Sequence, residues 1–295
     1  MYAITGITGK VGGALAATLL DAGLPVRAVV RDAAKGEGWR VRGCEIAIAR
    51  MEDTEALARV FAGVEAVFIL PPSEFDPEPF YPEARRVIAA VRAALERVHP
   101  GRVVCLSTIG ADAEEDNLLT QRTLIEQELA MLSMPVTFLR PAWFIDNAAG
   151  DVASARDAGV IRSFLVPLDK RFAMVAAKDV GAAAAGLIRE HWTGTRVVEL
   201  EGPTRVSPND LAAAFAAAFG RPVQAELVPR EKWEALFRAR GMRNPLPRIR
   251  MLDGFNEGWI DFAGNDENRL KGNTSAAEVI AELVAAASLK SGQRG

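Results

Sequence analysis

The chain has 295 residues, 49% apolar and 25% charged, with a net charge of −3 at neutral pH. Nucleic-acid-binding proteins that neutralise phosphates usually carry a basic excess, so this balance argues against one. The two cysteines and two histidines have no metal-ligand spacing, and we expect no metal site. No apolar run approaches the roughly 20 residues that span a membrane, and no signal peptide is recognisable, so we predict a cytoplasmic protein.

Short apolar strands alternate with helices through the first half of the chain. Strands are predicted at residues 2–5, 25–30, 45–49, 64–70, 102–106 and 135–139. Helices are predicted at residues 10–22, 54–61, 82–98 and 116–131, with Thr54 as the N-cap of the second. Apolar strands separated by helices indicate a parallel sheet covered on both faces. We therefore predict a doubly wound, Rossmann-like α/β domain over residues 1–150.

The second half mixes helices and strands in another pattern. Residues 174–188 pass from strand to helix, and Ser207-Pro208 begins a helix that ends at Gly220. Further elements are predicted as strands at 197–200 and 223–228 and helices at 231–240, 246–262 with a break at Gly254, and from Thr274-Ser275 onward. We predict that residues 151–295 form a smaller α+β substrate lobe that returns some strands to the main sheet.

A glycine-rich loop follows the first strand and opens the first helix, with the sequence Gly6-Ile7-Thr8-Gly9-Lys10-Val11-Gly12. Glycine permits the tight turn and lets the backbone approach a pyrophosphate closely. The free N–H groups at the helix N-terminus then face the anion. The spacing is Gly-x-x-Gly-x-x-Gly and predicts a dinucleotide site.

The end of the second strand indicates which dinucleotide binds. An arginine there accommodates the 2′-phosphate of NADP, whereas an acid binds the ribose hydroxyls of NAD. Arg31 ends the strand and Lys35 follows it, while Asp32 is the competing acid. Side-chain alternation favours Arg31, so we predict NADP and keep NAD as the weaker alternative.

Motifs spread over almost the whole chain resemble the NmrA-like atypical short-chain dehydrogenases/reductases. They are ITGITGKVG (4–12), VRAVVR (26–31), GVEAVF (63–68), LSTIGAD (106–112), VTFLRPAWFIDN (136–147) and ELEGP (199–203). The resemblance implies a Rossmann-like NADP-binding domain with a small C-terminal substrate lobe. The family contains quinone-type reductases and also cofactor-sensing regulators without catalysis.

The resemblance also implies a set of cofactor contacts, carried over by matching motifs. They are the loop residues Gly6, Thr8, Gly9, Lys10, Val11 and Gly12, the 2′-phosphate contacts Arg31 and Lys35, Asp53 near the adenine, and Leu70, Pro71 and Pro72 beside the nicotinamide ribose. Ser107 and Thr108 are expected to face the nicotinamide, and Pro141 to lie beside the cofactor. Trp143 and Phe144 are expected to border the substrate cleft.

The Tyr-x-x-x-Lys acid of typical superfamily members has no counterpart here. The predicted helix 116–131 contains neither tyrosine nor lysine, and the two tyrosines of the chain are Tyr2 and Tyr81. Ser107, Thr108 and Glu126 are the candidate catalytic residues that remain, with Arg122 a weaker one. A quinone needs no protein acid, because water can protonate the hydroquinone anion that hydride transfer produces.

Two functions follow as hypotheses. The first is an NADPH-dependent reductase of a quinone or a similar small conjugated carbonyl, whose cleft could draw on Phe75, Phe80, Trp143, Phe144, Phe255 and Trp259. For Phe255 and Trp259, a place in the core is the favoured interpretation. The second is a non-catalytic NADP or NAD sensor that regulates a partner protein. A homodimer is left open.

Overall fold

The computed structural model describes residues 1–262 and 269–292, with side chains as far as Leu289. In this part of the chain, eight strands form one parallel sheet. They are β1 (Tyr2–Thr5), β2 (Val26–Val30), β3 (Glu45–Ile48), β4 (Ala66–Ile69), β5 (Arg102–Leu106), β6 (Val136–Pro141), β10 (Thr195–Glu201) and β12 (Leu270–Lys271). Their order across the sheet is β3-β2-β1-β4-β5-β6-β10-β12.

This order reverses between β1 and β4, which makes the sheet doubly wound and confirms the predicted Rossmann-like α/β class. In such a sheet, ligands bind beyond the carboxyl ends of the strands at the reversal point. The loop that follows β1 and the loop that follows β4 therefore flank the expected binding crevice.

Helices cover both faces of the sheet and build the rest of the molecule. They are α1 (Lys10–Asp21), α2 (Glu37–Val41), α3 (Thr54–Phe61), α4 (Pro82–Val98), α5 (Thr120–Leu129), α6 (Val152–Ala158), α7 (Ala177–Leu187), α8 (Pro208–Phe219), α9 (Trp233–Ala239), α10 (Leu246–Glu257) and α11 (Ala276–Gly292). The short strands β7 (Trp143–Phe144) and β9 (Met174–Val175) pair in parallel, as do β8 (Val160–Ser163) and β11 (Gln224–Leu227). Within the described ranges, no helix is long and apolar enough to cross a membrane.

The second half of the chain shares the main sheet with the first. Strands β10 and β12 extend the sheet beyond β6, and α7 packs beside α1 on one face. The two helices approach closely, because a Cβ on Gly181 would lie 2.5 Å from the Cβ of Ala14. The division into residues 1–150 and 151–295 stays a prediction, and residues 263–268 and 293–295 of the second range lie outside the described residues.

Three local predictions were wrong at element ends. Asp53, and not Thr54, caps α3, since its carboxylate accepts a hydrogen bond from the backbone N–H of Ala56 at 2.9 Å. Helix α5 begins at Thr120, because the Asn117 side chain folds the preceding residues into a turn. Helix α10 continues through Gly254, which lies so close to Trp259 and Ile260 that it has no room for a Cβ.

Candidate active site

The glycine-rich loop makes a tight turn between β1 and α1. Gly6 has φ of +66°, and its carbonyl oxygen accepts a hydrogen bond of 3.0 Å from the N–H of Gly9. A Cβ on Gly12 would lie 2.4 Å from the same oxygen, closer than atoms can approach. The loop therefore requires glycine at both positions, for φ at Gly6 and for space at Gly12.

The N-terminus of α1 fits a pyrophosphate. Among the described residues, no side chain caps its first turn, and Lys10 and Val11 line a large cavity. Uncapped N–H groups and the helix dipole favour an anion at this position. The Lys10 ammonium lies 2.7 Å from the Asp146 carboxylate, whose second oxygen accepts the N–H of Ala177 at 2.8 Å.

The acids predicted near the adenosine end hold local turns. The Asp32 carboxylate accepts the N–H of Ala34 at 3.0 Å, and Asp53 caps α3. Arg31 and Lys35 are exposed, and the side chain of neither makes a hydrogen bond or ion pair with the residues that the structure describes. Two cationic side chains without a described partner therefore follow β2, whereas the Asp32 carboxylate is already hydrogen-bonded to the backbone.

A cavity of about 1000 Å³ lies at the carboxyl ends of the strands. It brings together the predicted site residues Lys10, Val11, Leu70, Ser107, Thr108, Pro141, Trp143 and Phe144. The lining does not include the predicted residues Gly6, Thr8, Gly9, Gly12, Arg31, Lys35, Asp53, Pro71, Pro72 or Glu126, as far as the described residues go. Of the aromatic candidates, Phe75 and Phe255 also line it, whereas Phe80 is 84% exposed elsewhere.

Ser107 and Glu126 belong to one buried polar network. The Ser107 hydroxyl donates a short hydrogen bond to Glu126, which is 8% exposed. Arg140 donates to both oxygens of the Glu126 carboxylate, at 2.9 and 2.7 Å, and to Asp112 at 2.8 Å. Burial opposes a charged guanidinium, but these hydrogen bonds and charges outweigh it and raise the pKa of Arg140. Glu126 is therefore an ion-paired carboxylate that orients Ser107 at the rim of the cavity.

Arg122 joins α5 to the loop that follows β4. Its guanidinium donates to the carbonyl oxygen of Pro71 at 2.9 Å and to the Ser73 hydroxyl at 2.6 Å. Burial lowers the pKa of Arg122. The side chain also lines the cavity. Arg122, Pro71 and their neighbours thus shape the crevice on the β4 side.

The same loop reaches across to the second half of the chain. The Asp76 carboxylate accepts the backbone N–H groups of Arg243 and Asn244 at 2.9 and 2.7 Å, and the Asn244 amide donates to the Pro77 carbonyl at 2.8 Å. These N–H groups hold the pKa of Asp76 below its ordinary value. The tether joins the loop after β4 to the segment between α9 and α10, and no sequence motif indicates it.

Both tyrosines are engaged in structural contacts outside the cavity lining. Tyr2 donates to Glu65 at 3.3 Å, at the start of β1. The buried Tyr81 hydroxyl donates to Asp116 at 2.7 Å and lies 2.8 Å from the carbonyl oxygen of Asn117. Burial, followed by the interaction with Asp116, raises the pKa of Tyr81.

Residues that follow β6 contribute an aromatic and charged wall to the cavity. Trp143 and Phe255 contact edge to face, with ring centroids 5.1 Å apart, and both line the cavity. Asp151 lines it too, and burial raises the pKa of its carboxyl to about 6. The sequence analysis missed Asp151, which lies in no recognisable motif.

Residues 2–257 match the profile of the NmrA-like family. The chain belongs to this family. Three proteins with assigned activities are similar to this chain. The NAD(P)H azoreductase of Xenophilus azovorans is 28% identical over 87% of this chain and 85% of that protein. A (4-alkanoyl-5-oxo-2,5-dihydrofuran-3-yl)methyl phosphate reductase of Streptomyces griseus is 32% identical, over 77% of this chain and 76% of that protein.

Quinone oxidoreductase 2 of Escherichia coli is 27% identical to this NmrA-like protein, over 83% of this chain and 84% of the enzyme. A solved structure of NADPH-dependent quinone oxidoreductase from Escherichia coli, complexed with NADPH, has a TM-score of 0.79 at 23% identity. That match covers 96% of this chain and 99% of the other. At this identity the structural match establishes the shared fold.

Proposed function

We propose that this NmrA-like protein is an NADPH-dependent reductase that transfers hydride to a quinone or a similar small conjugated carbonyl. The observation that carries the proposal is one continuous cavity. It joins the N-terminus of α1 to Ser107 and Thr108 at the end of β5 and to the aromatic pair Trp143 and Phe255. The nicotinamide end of a dinucleotide and a flat acceptor can therefore lie side by side in it.

NADPH would be held by the glycine loop and by the two free cations after β2. The backbone N–H groups of Lys10 and Val11 would face the pyrophosphate, and Arg31 with Lys35 would hold the 2′-phosphate. NADH would need Asp32, which already caps the turn after β2. The name of the azoreductase relative, which includes NAD(P)H, supports a nicotinamide cofactor.

The bound cofactor would supply the hydride, and the chain's own residues would position the acceptor. The one hydrogen of the Ser107 hydroxyl points to Glu126, so the Ser107 oxygen is an acceptor toward the cavity. The Thr108 hydroxyl has no partner among the described side chains and backbone groups, so it is the donor for an acceptor carbonyl. Positioning and exclusion of water then supply the rate.

The reaction would proceed without a Tyr-x-x-x-Lys acid. Tyr2 and Tyr81 are both hydrogen-bonded away from the cavity, and α5 carries neither tyrosine nor lysine. Water would protonate the hydroquinone anion. The azoreductase and quinone oxidoreductase names of two relatives support reduction of flat, conjugated acceptors.

Two titrations test the proposal. NADPH and NADH binding are measured by nucleotide fluorescence, and a panel of quinones is then added while absorbance at the reduced nicotinamide band is followed. We expect tighter binding of NADPH and quinone-dependent oxidation. Binding without oxidation by any acceptor would contradict the reductase and favour a sensor that acts through a partner protein. Absence of binding would contradict the cofactor assignment itself.

A further inference from the structure

A half-buried cation, with no counter-ion among the described residues, lines the cavity wall formed by α9 and α10. The side chain of Arg248, in the first turn of α10, contributes to this wall. Its Nε atom is buried and lacks a hydrogen-bond partner in the described part of the chain. The described residues thus give this guanidinium neither an acceptor for Nε nor a counter-ion, although the Arg248 side chain lines a cavity.

Other arginines line the same cavity. Arg240, which follows α9, and Arg162, on β8, both contribute to the lining and are exposed. Neither these two nor Arg248 has a carboxylate within salt-bridge distance among the described residues. Burial, and then the charge of Arg240, lower the pKa of Arg248, as expected for cations that share a site.

The carboxylates of the cavity do not balance these charges. Asp146 is bound to Lys10, at 2.7 Å, and so neutralises a cation of the glycine loop. Asp151 is the other aspartate of the lining, and the charge of Arg240 acts on it. Asp151 is thus the one carboxyl of the described lining left to balance Arg248, Arg240 and Arg162. Such an excess favours an anion.

Aromatic rings lie directly beside the cations. The Arg248 guanidinium carbon lies 5.0 Å from the ring centroid of Phe237, which in turn lies 5.2 Å from that of Phe164. Phe164 lines the cavity, as do Met251 and Leu252 on α10. The wall thus offers an apolar surface for a flat ring next to charged donors.

We infer that the substrate of this cleft carries an anionic group (a carboxylate, sulfonate or phosphate) which Arg248 and Arg240 bind while its conjugated part packs on the aromatic wall. The inference rests on the proposed function, because it names the substrate class of the proposed reductase. Binding of such an anion would supply the counter-charge that Arg248 lacks among the described residues. A guanidinium fork suits the paired oxygens of these groups.

Calorimetric titration of the NADP⁺-saturated protein tests the inference without any turnover. The probes are naphthalene-2-sulfonate and the neutral naphthalene-2-methanol, and the nucleotide occupies the phosphate-binding loop. We expect the sulfonate to bind more tightly than the alcohol. Arg248→Gln should weaken sulfonate binding about tenfold or more, as loss of a charge-assisted contact does, and leave the alcohol unchanged.

Two further variants test whether the effect on sulfonate binding is specific to the arginines of the cavity wall. Arg250→Gln removes the same charge from an exposed position of α10 outside the cavity lining, and both probes should bind to it as to the wild type. Arg240→Gln alters an exposed side chain and carries the test if Arg248→Gln fails to fold. Equal affinity of the wild type for both probes, or equal losses for both in Arg248→Gln or Arg240→Gln, would overturn the inference.

These titrations distinguish failure of the anion subsite from failure of the proposed reductase. Quinone-dependent oxidation of NADPH without any preference for the sulfonate would overturn the anion subsite and leave the reductase standing. Arginine-dependent sulfonate binding without oxidation by any quinone would support the subsite and contradict the reductase. If NADP⁺ does not bind, the same titrations on the protein alone still decide whether Arg248 selects the sulfonate.

Discussion

The Ser107 hydroxyl donates a hydrogen bond to the Glu126 carboxylate across the space between the end of β5 and α5. Arg140, at the end of β6, holds the same carboxylate through two hydrogen bonds. Three neighbouring elements are thus joined behind the cavity by one buried ion pair. This arrangement fixes which atoms of Ser107 face the cavity, and it gives Glu126 an indirect part in the site.

Removal of the Glu126 charge should destabilise the protein. Glu126→Gln leaves the guanidinium of Arg140, whose side chain is 12% exposed, with Asp112 as its remaining carboxylate partner. Breaking a buried ion pair from one side should lower the free energy of unfolding by up to about 3 kcal/mol. Urea denaturation measures the loss. Glu128→Gln, which breaks an exposed pair with Arg92, is the control and should cost much less, because water screens exposed charges. Similar losses in both variants would contradict the account.

Arg31 should decide between the two nicotinamide nucleotides. Arg31→Ala removes a free cation after β2, and we expect it to weaken NADPH binding about tenfold or more while NADH binding stays the same. Fluorescence titration with each nucleotide measures the two affinities. Arg59→Ala, an exposed arginine on α3, should change neither. Equal loss of both nucleotides, or no loss, would reject the 2′-phosphate role.

Gly12 should tolerate no side chain. The added Cβ of Gly12→Ala would lie 2.4 Å from the Gly6 carbonyl oxygen, so the loop must move and the N–H groups of α1 must lose their alignment. We expect a lower melting temperature and loss of nucleotide binding. Gly38→Ala is the control, because a Cβ there meets nothing within 4 Å and alanine favours the helix. Nucleotide binding by Gly12→Ala at wild-type affinity would contradict the phosphate-loop assignment.

Asp151 should make stability depend on pH. Burial raises its pKa from 3.8 to about 6, so between these values the unfolded chain has ionised while the native state keeps its proton. Stability contributed by Asp151 therefore falls as pH rises through that window, by up to about 3 kcal/mol at pH 7.

Urea denaturation of Asp151→Asn measures this effect. The variant should be more stable than the wild type at pH 7 and equal to it near pH 4. The control Asp157→Asn, exposed on helix α6, which begins directly after Asp151, should show no gain at pH 7. A gain for Asp151→Asn that is the same at both pH values would disprove this origin.

The elements that depend on local sequence patterns could be predicted from the sequence. The apolar strands and the glycine-rich loop were enough to predict β1, α1 and the doubly wound sheet. Hydrophobic periodicity and backbone φ preferences depend on only a few neighbouring residues, so the sequence shows them directly. Ser107, Trp143 and Phe144 were placed near the cavity because strand ends in a parallel sheet meet at one edge. The N-cap at Asp53 was missed by one residue, since two adjacent side chains could each cap the helix.

The remaining features of the site depend on tertiary contacts. Asp76 and Asn244 lie 168 residues apart, and their hydrogen bond has no local signature. Arg248 resembles any exposed arginine in the sequence, and its significance comes from burial beside Phe237 and from the absence of a carboxylate within reach in the described structure. The raised pKa of Asp151 likewise arises from burial that periodicity does not reveal.

The most direct test of the central claim is a single-turnover experiment with NADPH carrying deuterium at one face of C4. Enzyme-bound NADPH is mixed with menadione, and the oxidation rate and the deuterium left in NADP⁺ are measured for the 4R and 4S labels separately. Hydride transfer in the cavity predicts that one label slows oxidation and is lost from NADP⁺, while the other is retained. Absence of oxidation, or loss of both labels to the same extent, would contradict it.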